Sequence, residues 1–173
     1  MSARFHIICF SPTGSTRKIA EAVAAGAGCR TVVKDVTLPT ERSKAATLLQ
    51  DDIVLLAAPV YYGRVERHAA DFFGSLQGRG QSAVLLVNYG NRHFDDALLE
   101  LHDLALNRGF APIAAAAFVS EHSLSTADSP MAAGRPDTED LGKARDFGAA
   151  VLAKLKSGAS GLSIVPGNRP FKA

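Results

Sequence analysis

Apolar residues in this chain come in short bursts separated by polar, glycine-rich stretches, and the bursts alternate between two spacings. Phe5-His6-Ile7-Ile8-Cys9-Phe10 is a nearly continuous apolar run closed by Ser11-Pro12-Thr13-Gly14, the signature of a strand buried on both faces. Residues 31–36, 53–58, 83–87 and 111–119 read the same way, with Pro59 halting the third run. Between these runs the spacing turns helical. Ile19, Ala20, Val23 and Ala24 predict a helix over 16–26, stopped by Gly26 together with Gly28. Further helices are predicted over 43–49, 67–76, 95–108 (capped by Gly109) and 137–156. Residues 120–136 form a polar connection, long for such a chain and suited to a lid or docking surface. One domain over 1–157 is expected, followed by a tail over 158–173.

Five strands alternating with five helices predict an α/β three-layer sandwich, a parallel sheet covered on both faces, with strand order 2-1-3-4-5 favoured. Ligands of such sheets bind outside the carboxyl ends of the strands. The loops after the first, third, fourth and fifth strands are therefore where chemistry is expected.

Composition narrows the picture. The 173 residues suffice for one self-supporting core, and 47% hydrophobic with 21% charged residues excludes disorder and collagen-like repeats. Cys9 and Cys29 are too few for a four-ligand zinc site or an iron–sulfur cluster, and suit a reducing cytosol. Cys9, inside the first strand, is expected to be an inert core thiol. A net charge of +2 from well-mixed charges gives no nucleic-acid footprint, and no metal-ligand spacing links the five histidines. No signal peptide or membrane span is legible, so a cytoplasmic protein is expected.

Ser11, Thr13, Gly14, Ser15 and Thr16 crowd hydroxyls and backbone amides at the start of the first helix, where the macrodipole adds positive potential. That combination predicts a phosphate site, since capping a helix alone takes one such residue. The P-loop lysine is missing, and so is the three-glycine dinucleotide fingerprint; position 15, where a phosphatase arginine would follow Cys9, is serine. A monophosphate ligand remains. After the third strand come Pro59, Val60, Tyr61, Tyr62 and Gly63; after the fourth come Asn88, Tyr89, Gly90, Asn91, Phe94 and Asp95. Aromatic side chains beside glycines in both loops suit a flat ring system held between them. His122, after the fifth strand, is placed to reach its edge, and Arg64 and Arg92 flank the same rim.

The Ser-Pro-Thr-Gly-Ser-Thr loop resembles the flavodoxin phosphate loop. The stretches PVYYGRV, YGNRHFDDALLEL, GRPDTEDL and VPGNRPFK are similar to the flavodoxin-like half of fused flavodoxin–ferredoxin proteins, here without a ferredoxin part. The resemblance spans essentially the whole chain and implies a flavodoxin-like fold. It also implies FMN, with the phosphate on Ser11, Thr13, Gly14, Ser15 and Thr16. Val60, Tyr61, Tyr62 and Gly63 would line one side of the isoalloxazine, and Asn88, Tyr89, Gly90, Asn91 and Phe94 the other, with Asp95 turning back to cap the fourth helix. The chain has no tryptophan and, unlike most flavodoxins, is slightly basic. The function implied is shuttling one or two electrons between redox partners: iron–sulfur proteins of ferredoxin type, or reductases. An NAD(P)H-dependent FMN or quinone reductase and a flavin-free interaction module are the alternatives, and a homodimer is open. Neither a catalytic residue nor a metal ligand is assigned. Glycine at 63 lets its peptide flip without a Cβ penalty, so this loop is expected to tune the cofactor's potentials.

Overall fold

A computed structural model describes residues 4–162 and 164–172. Met1 to Ala3, read as the lead into the first strand, and Ser163 and Ala173, read as part of the tail, lie outside the described residues. The elements in chain order are β1 (Arg4–Cys9), α1 (Ser15–Ala27), β2 (Arg30–Asp35), α2 (Pro39–Arg42), β3 (Asp52–Tyr61), β4 (Arg64–Val65), α3 (Arg67–Ser75), β5 (Ser82–Tyr89), α4 (Ala97–Asn107), β6 (Ala111–Val119) and α5 (Thr138–Lys156). The main sheet runs β2-β1-β3-β5-β6 with every pairing parallel, the expected 2-1-3-4-5 order. The short β4 folds back antiparallel on the end of β3.

Strand alternation sorts the core into two layers. Phe5, Ile7, Leu55 and Leu86 point to the face covered by α1 and α5, where Ile19, Val23, Ala144 and Val151 meet them. Ile8, Leu56 and Leu85 point to the other face, beneath Phe72 and Phe73 of α3 and Leu98 and Leu101 of α4. Cys9 lies fully buried in the first layer, and burial pushes its thiol up to about 12, as an inert core thiol requires.

Four local readings are corrected. Residues 43–49 are not helical; the helix is the single turn α2, started by Pro39 at its first position, where a missing N–H is harmless. Ala46 and Leu48 instead lie partly buried against the core in a stretch without regular secondary structure. Pro59 does not halt β3, because the β1–β3 ladder has already ended at Cys9 and Ala57. Gly26 lies inside α1; the stop is Gly28, in the left-handed conformation. Asp95 does not cap α4: that position is Asp96, and its side chain makes no capping bond.

Gly26 and Gly148 have a different task. A Cβ on Gly26 would sit 1.9 Å from the Arg145 carbonyl oxygen, and one on Gly148 would sit 1.9 Å from that of Val23. The two glycines thus let α1 and α5 cross backbone to backbone. This fixes α1, and with it the loop that precedes α1.

Candidate functional site

At the carboxyl edge of the sheet the loops surround a cleft of about 710 Å³, within the usual range for a small-molecule site. Among the described residues, no group of His, Cys, Asp or Glu could hold a metal ion. No helix is long and apolar enough to cross a membrane.

The loop after β1 forms one end. Gly14 adopts φ +84 and receives no steric penalty for it, turning the chain into α1. Ser11 is locked beneath: its N–H donates to Thr37 Oγ1 at 2.8 Å, and its hydroxyl accepts from the Arg17 N–H at 3.0 Å. The amides of Ser15 and Thr16, at the first helical positions, have no carbonyl within the helix to donate to. No acidic side chain occupies that first turn. Thr13 and Thr16 line the cleft with Pro12, while Ser11, Gly14 and Ser15 shape the turn behind them.

One wall is the β3–β4 hairpin. Its turn, Tyr62-Gly63, takes φ +54 and +81, the paired positive values of a tight hairpin turn. Pro59, Val60, Tyr61, Tyr62 and Gly63 all line the cleft, and Tyr62 stands 94% exposed at the mouth. Burial, with Glu66 nearby, raises the Tyr61 phenol, so this ring stays protonated.

The opposite wall follows β5. Asn88, Tyr89 and Gly90 line the cleft. Gly90 is needed here, since a Cβ would sit 2.4 Å from the His122 ring. His122 itself lines the cleft and accepts the Leu124 N–H at Nδ1, which places the proton of a neutral ring on Nε2. Asn91, Phe94 and Asp95 stand behind this wall. Phe94 supports Tyr89 edge-on at 5.5 Å and stacks on His93 at 4.9 Å. Asp95 accepts from Arg92 at 2.6 Å and from Lys172 at 2.9 Å. The Lys172 bond, with Arg92 and His93 beside it, holds its carboxyl below the usual carboxylate range.

Asn88 reports most directly on what the cleft accepts. It is 4% exposed, its Nδ2 donates to Thr16 Oγ1 at 3.2 Å, and its Oδ1 is buried with no hydrogen-bond partner. A buried carbonyl oxygen without a donor is costly, so the site is built for a ligand that brings one.

Sequence reasoning missed several lining residues. Ser120, Glu121, Ser123 and Leu124 come from the connection over 120–136, whose position is visible in the sequence but whose path is not. Arg92 and His93 line the mouth, whereas Arg64 is paired in two places with Glu100 and stacked over Phe171. Lys172 also lines the cleft, from the segment read as a tail. All four non-glycine residues with positive φ among those described, Tyr62, Asn91, Asp95 and Ala132, belong to the loops around this cleft. Such strain gathers where surrounding structure enforces a working geometry.

An α/β sandwich with this strand order, and with its cleft outside the carboxyl ends of the strands, is a fold of the doubly wound class. Residues 6–98, more than half of the chain, match the flavodoxin domain, and the chain belongs to that family. The flavodoxin of Streptococcus pneumonia TIGR4 has a similar structure, with a TM-score of 0.60 at 18% identity over 87% of this chain and 99% of that one. A flavodoxin, WrbA-like protein from Agrobacterium tumefaciens gives 0.52 at 21% identity, over 91% of this chain and 99% of that one. Two-electron reduced Megasphaera elsdenii flavodoxin gives 0.51 at 19%, over 86% and 98%. None of the curated proteins matches the chain in sequence.

Proposed function

We propose that the chain binds FMN in this cleft and passes one or two electrons between redox partners. Its motifs resemble those of fused flavodoxin–ferredoxin proteins, which makes ferredoxin-type iron–sulfur proteins the partner class. The observation that carries the reading is the buried, unpartnered Asn88 Oδ1 between a hydroxyl-rich helix start and a tyrosine hairpin.

The polarity of the site follows from that pair. Thr16 Oγ1 accepts from Asn88 Nδ2, so its own proton is free for an anionic oxygen. Asn88 Oδ1, one step further along, is left to accept from a neutral hydroxyl. Tyr61, Tyr62 and Tyr89 with Gly63 and Gly90 line two walls of the cleft, and Arg92, Glu121, His122 and Lys172 add polar groups at its rim. The donors of the helix start would hold the phosphate, Asn88 Oδ1 a ribityl hydroxyl, and the tyrosine-lined walls the isoalloxazine.

When bound, FMN supplies the one- and two-electron chemistry. The protein's residues do the holding and tuning. Ser15 and Thr16 amides, with the α1 dipole behind them, bind the phosphate without a cationic side chain. Gly63, whose carbonyl accepts from the Asp96 N–H at 3.1 Å, sets the peptide orientation along one wall. Tyr62, 94% exposed at the mouth, presents a wet aromatic face that a bound ring would cover.

Titration of the purified protein with FMN tests this. One flavin per chain with quenched fluorescence is expected, followed by stepwise bleaching near 450 nm (roughly the oxidised flavin maximum) with dithionite. Thr16→Val should weaken binding about tenfold, the loss of a hydrogen bond to a charged group. Protein that stays colourless after FMN overturns the proposal, and rapid bleaching by NADPH alone moves it to a reductase.

A further inference from the structure

Residues 164–172 look from sequence like an appendage, yet their hydrogen bonds converge on the rim of the cleft. Lys154 of α5 ties Gly161 to the Ile113 carbonyl on the edge strand β6. Val165 then packs against the α3–α4 layer of the core, on the opposite face of the sheet. Gly167 passes so close to α4 that a Cβ would lie 2.6 Å from Leu99 Cβ.

The far end of the segment is anchored on two adjacent carboxylates. Asp96 is 4% exposed, and both its oxygens are taken by this segment: Oδ1 accepts from the Asn168 N–H at 2.8 Å, and Oδ2 from the Lys172 N–H at 2.7 Å. A carboxylate buried to that degree needs those donors, so the segment belongs to the fold. The backbone N–H of Asp96 in turn donates to the Gly63 carbonyl. Asp95 completes the arrangement. Its Oδ2 accepts from Lys172 Nζ, and the same oxygen lies 2.4 Å from where a Gly63 Cβ would be. The Lys172 carbonyl accepts from Arg64 Nη1 at 2.8 Å. Both hairpin residues after Tyr62 are therefore linked to Lys172, Arg64 directly and Gly63 through the aspartates.

We propose that Lys172 is a positioning residue of the flavin cleft: its backbone groups tie it to Asp96 and Arg64, and its ammonium holds Asp95 against the Gly63 turn and places a positive charge at the mouth; this rests on the FMN reading above. Arg92 and Glu121 are the other charged groups lining the cleft, and Glu121 is turned toward the Gly134 N–H at 2.9 Å. Losing the ammonium leaves Asp95 to Arg92 and His93, whose side chains are 70% and 60% exposed, and frees the carboxylate to swing outward from Gly63.

The full chain carrying Lys172→Gln or Lys172→Arg tests this against wild type. Two readouts are taken: the Gly63 and Arg64 amide resonances without flavin, and the affinities for oxidised and reduced FMN. In Lys172→Gln both amides should shift, and binding of reduced relative to oxidised FMN should fall about threefold, as expected for removing one solvent-screened charge several ångströms away. Lys172→Arg should restore both. Unchanged amides, or an unchanged affinity ratio in protein that binds FMN, overturn the proposal. Wild-type protein that takes up no FMN overturns the flavin reading instead, and the amide shifts alone then decide the role of Lys172.

Discussion

Gly63 is where a single side chain decides most. Its φ of +81 disfavours any L residue, and its Cα faces the Asp95 carboxylate with no room for a Cβ. Gly63→Val should therefore distort the turn and shift the midpoint of the one-electron couple, a change read by spectroelectrochemistry. An unshifted midpoint removes the tuning role from this loop. Gly63, both tyrosines and Asn88 were legible in the sequence, since glycine and aromatic residues after a buried strand are a local pattern. Asp95 was visible as a position beside this wall, but its role was not. Its partner Lys172 lies 77 residues away, and an ion pair over that span leaves no periodicity to read. Asn88 was visible as a position; that its oxygen is buried without a partner needed the packing around it.

Among the elements, the α1–α5 crossing is the most demanding. Gly26 and Gly148 each face a backbone carbonyl of the other helix. Gly148→Ala should force the helices apart at a cost of about 1–3 kcal/mol, a typical overpacking penalty. The corresponding drop in melting temperature is roughly 2–4 °C per kcal/mol for a chain this long. An unaltered melting curve would show that the crossing relaxes freely. Strands were the easiest elements to read, because parallel strands buried on both faces are continuous apolar runs. The misread elements share a cause. Pro59 carries a strand-breaking cue, yet β1, its neighbour, has already ended there, and residues 43–49 carry a helical spacing, yet Ala46 and Leu48 pack on the core without regular structure. In both, tertiary surroundings overrode a local cue.

For the whole molecule, acid should act in two stages. Burial pushes His6 below its ordinary value despite Asp52 nearby, so below about pH 6.5 the unfolded chain binds a proton that the folded one resists. Stability should begin to decline there. Asp95, Asp96 and Asp103 are each held below the usual carboxylate range by donors of the segment 164–172: the Lys172 ammonium, the Lys172 and Asn168 amides, and the Arg169 guanidinium respectively. Arg135 holds Asp140 low likewise, and at Asp52 the bonds from Arg4 and the Leu49 N–H outweigh burial, which pushes the other way. What these carboxylates contribute is complete above about pH 4 and is lost as pH falls through their lowered values. Melting temperature against pH should thus be flat from neutrality to about pH 8, slope gently below pH 6.5 and steeply below pH 4, and decline again at alkaline pH, where the unfolded chain ionises the Cys9 thiol that burial keeps protonated in the fold. His6→Gln should remove the upper slope only; a single acidic transition in wild type would contradict the two-stage account.

Because residue 172 lies at the cleft mouth while β1 begins at Arg4 on the far side of the sheet, the two ends are not equivalent as attachment points. A purification handle, dye or surface linker joined after Lys172 would crowd the opening of the proposed flavin cleft. The same group joined ahead of Arg4 sits roughly 20 Å away, the length of a six-residue strand. Immobilisation through that remote end would leave the mouth facing an electrode or a docking protein unobstructed.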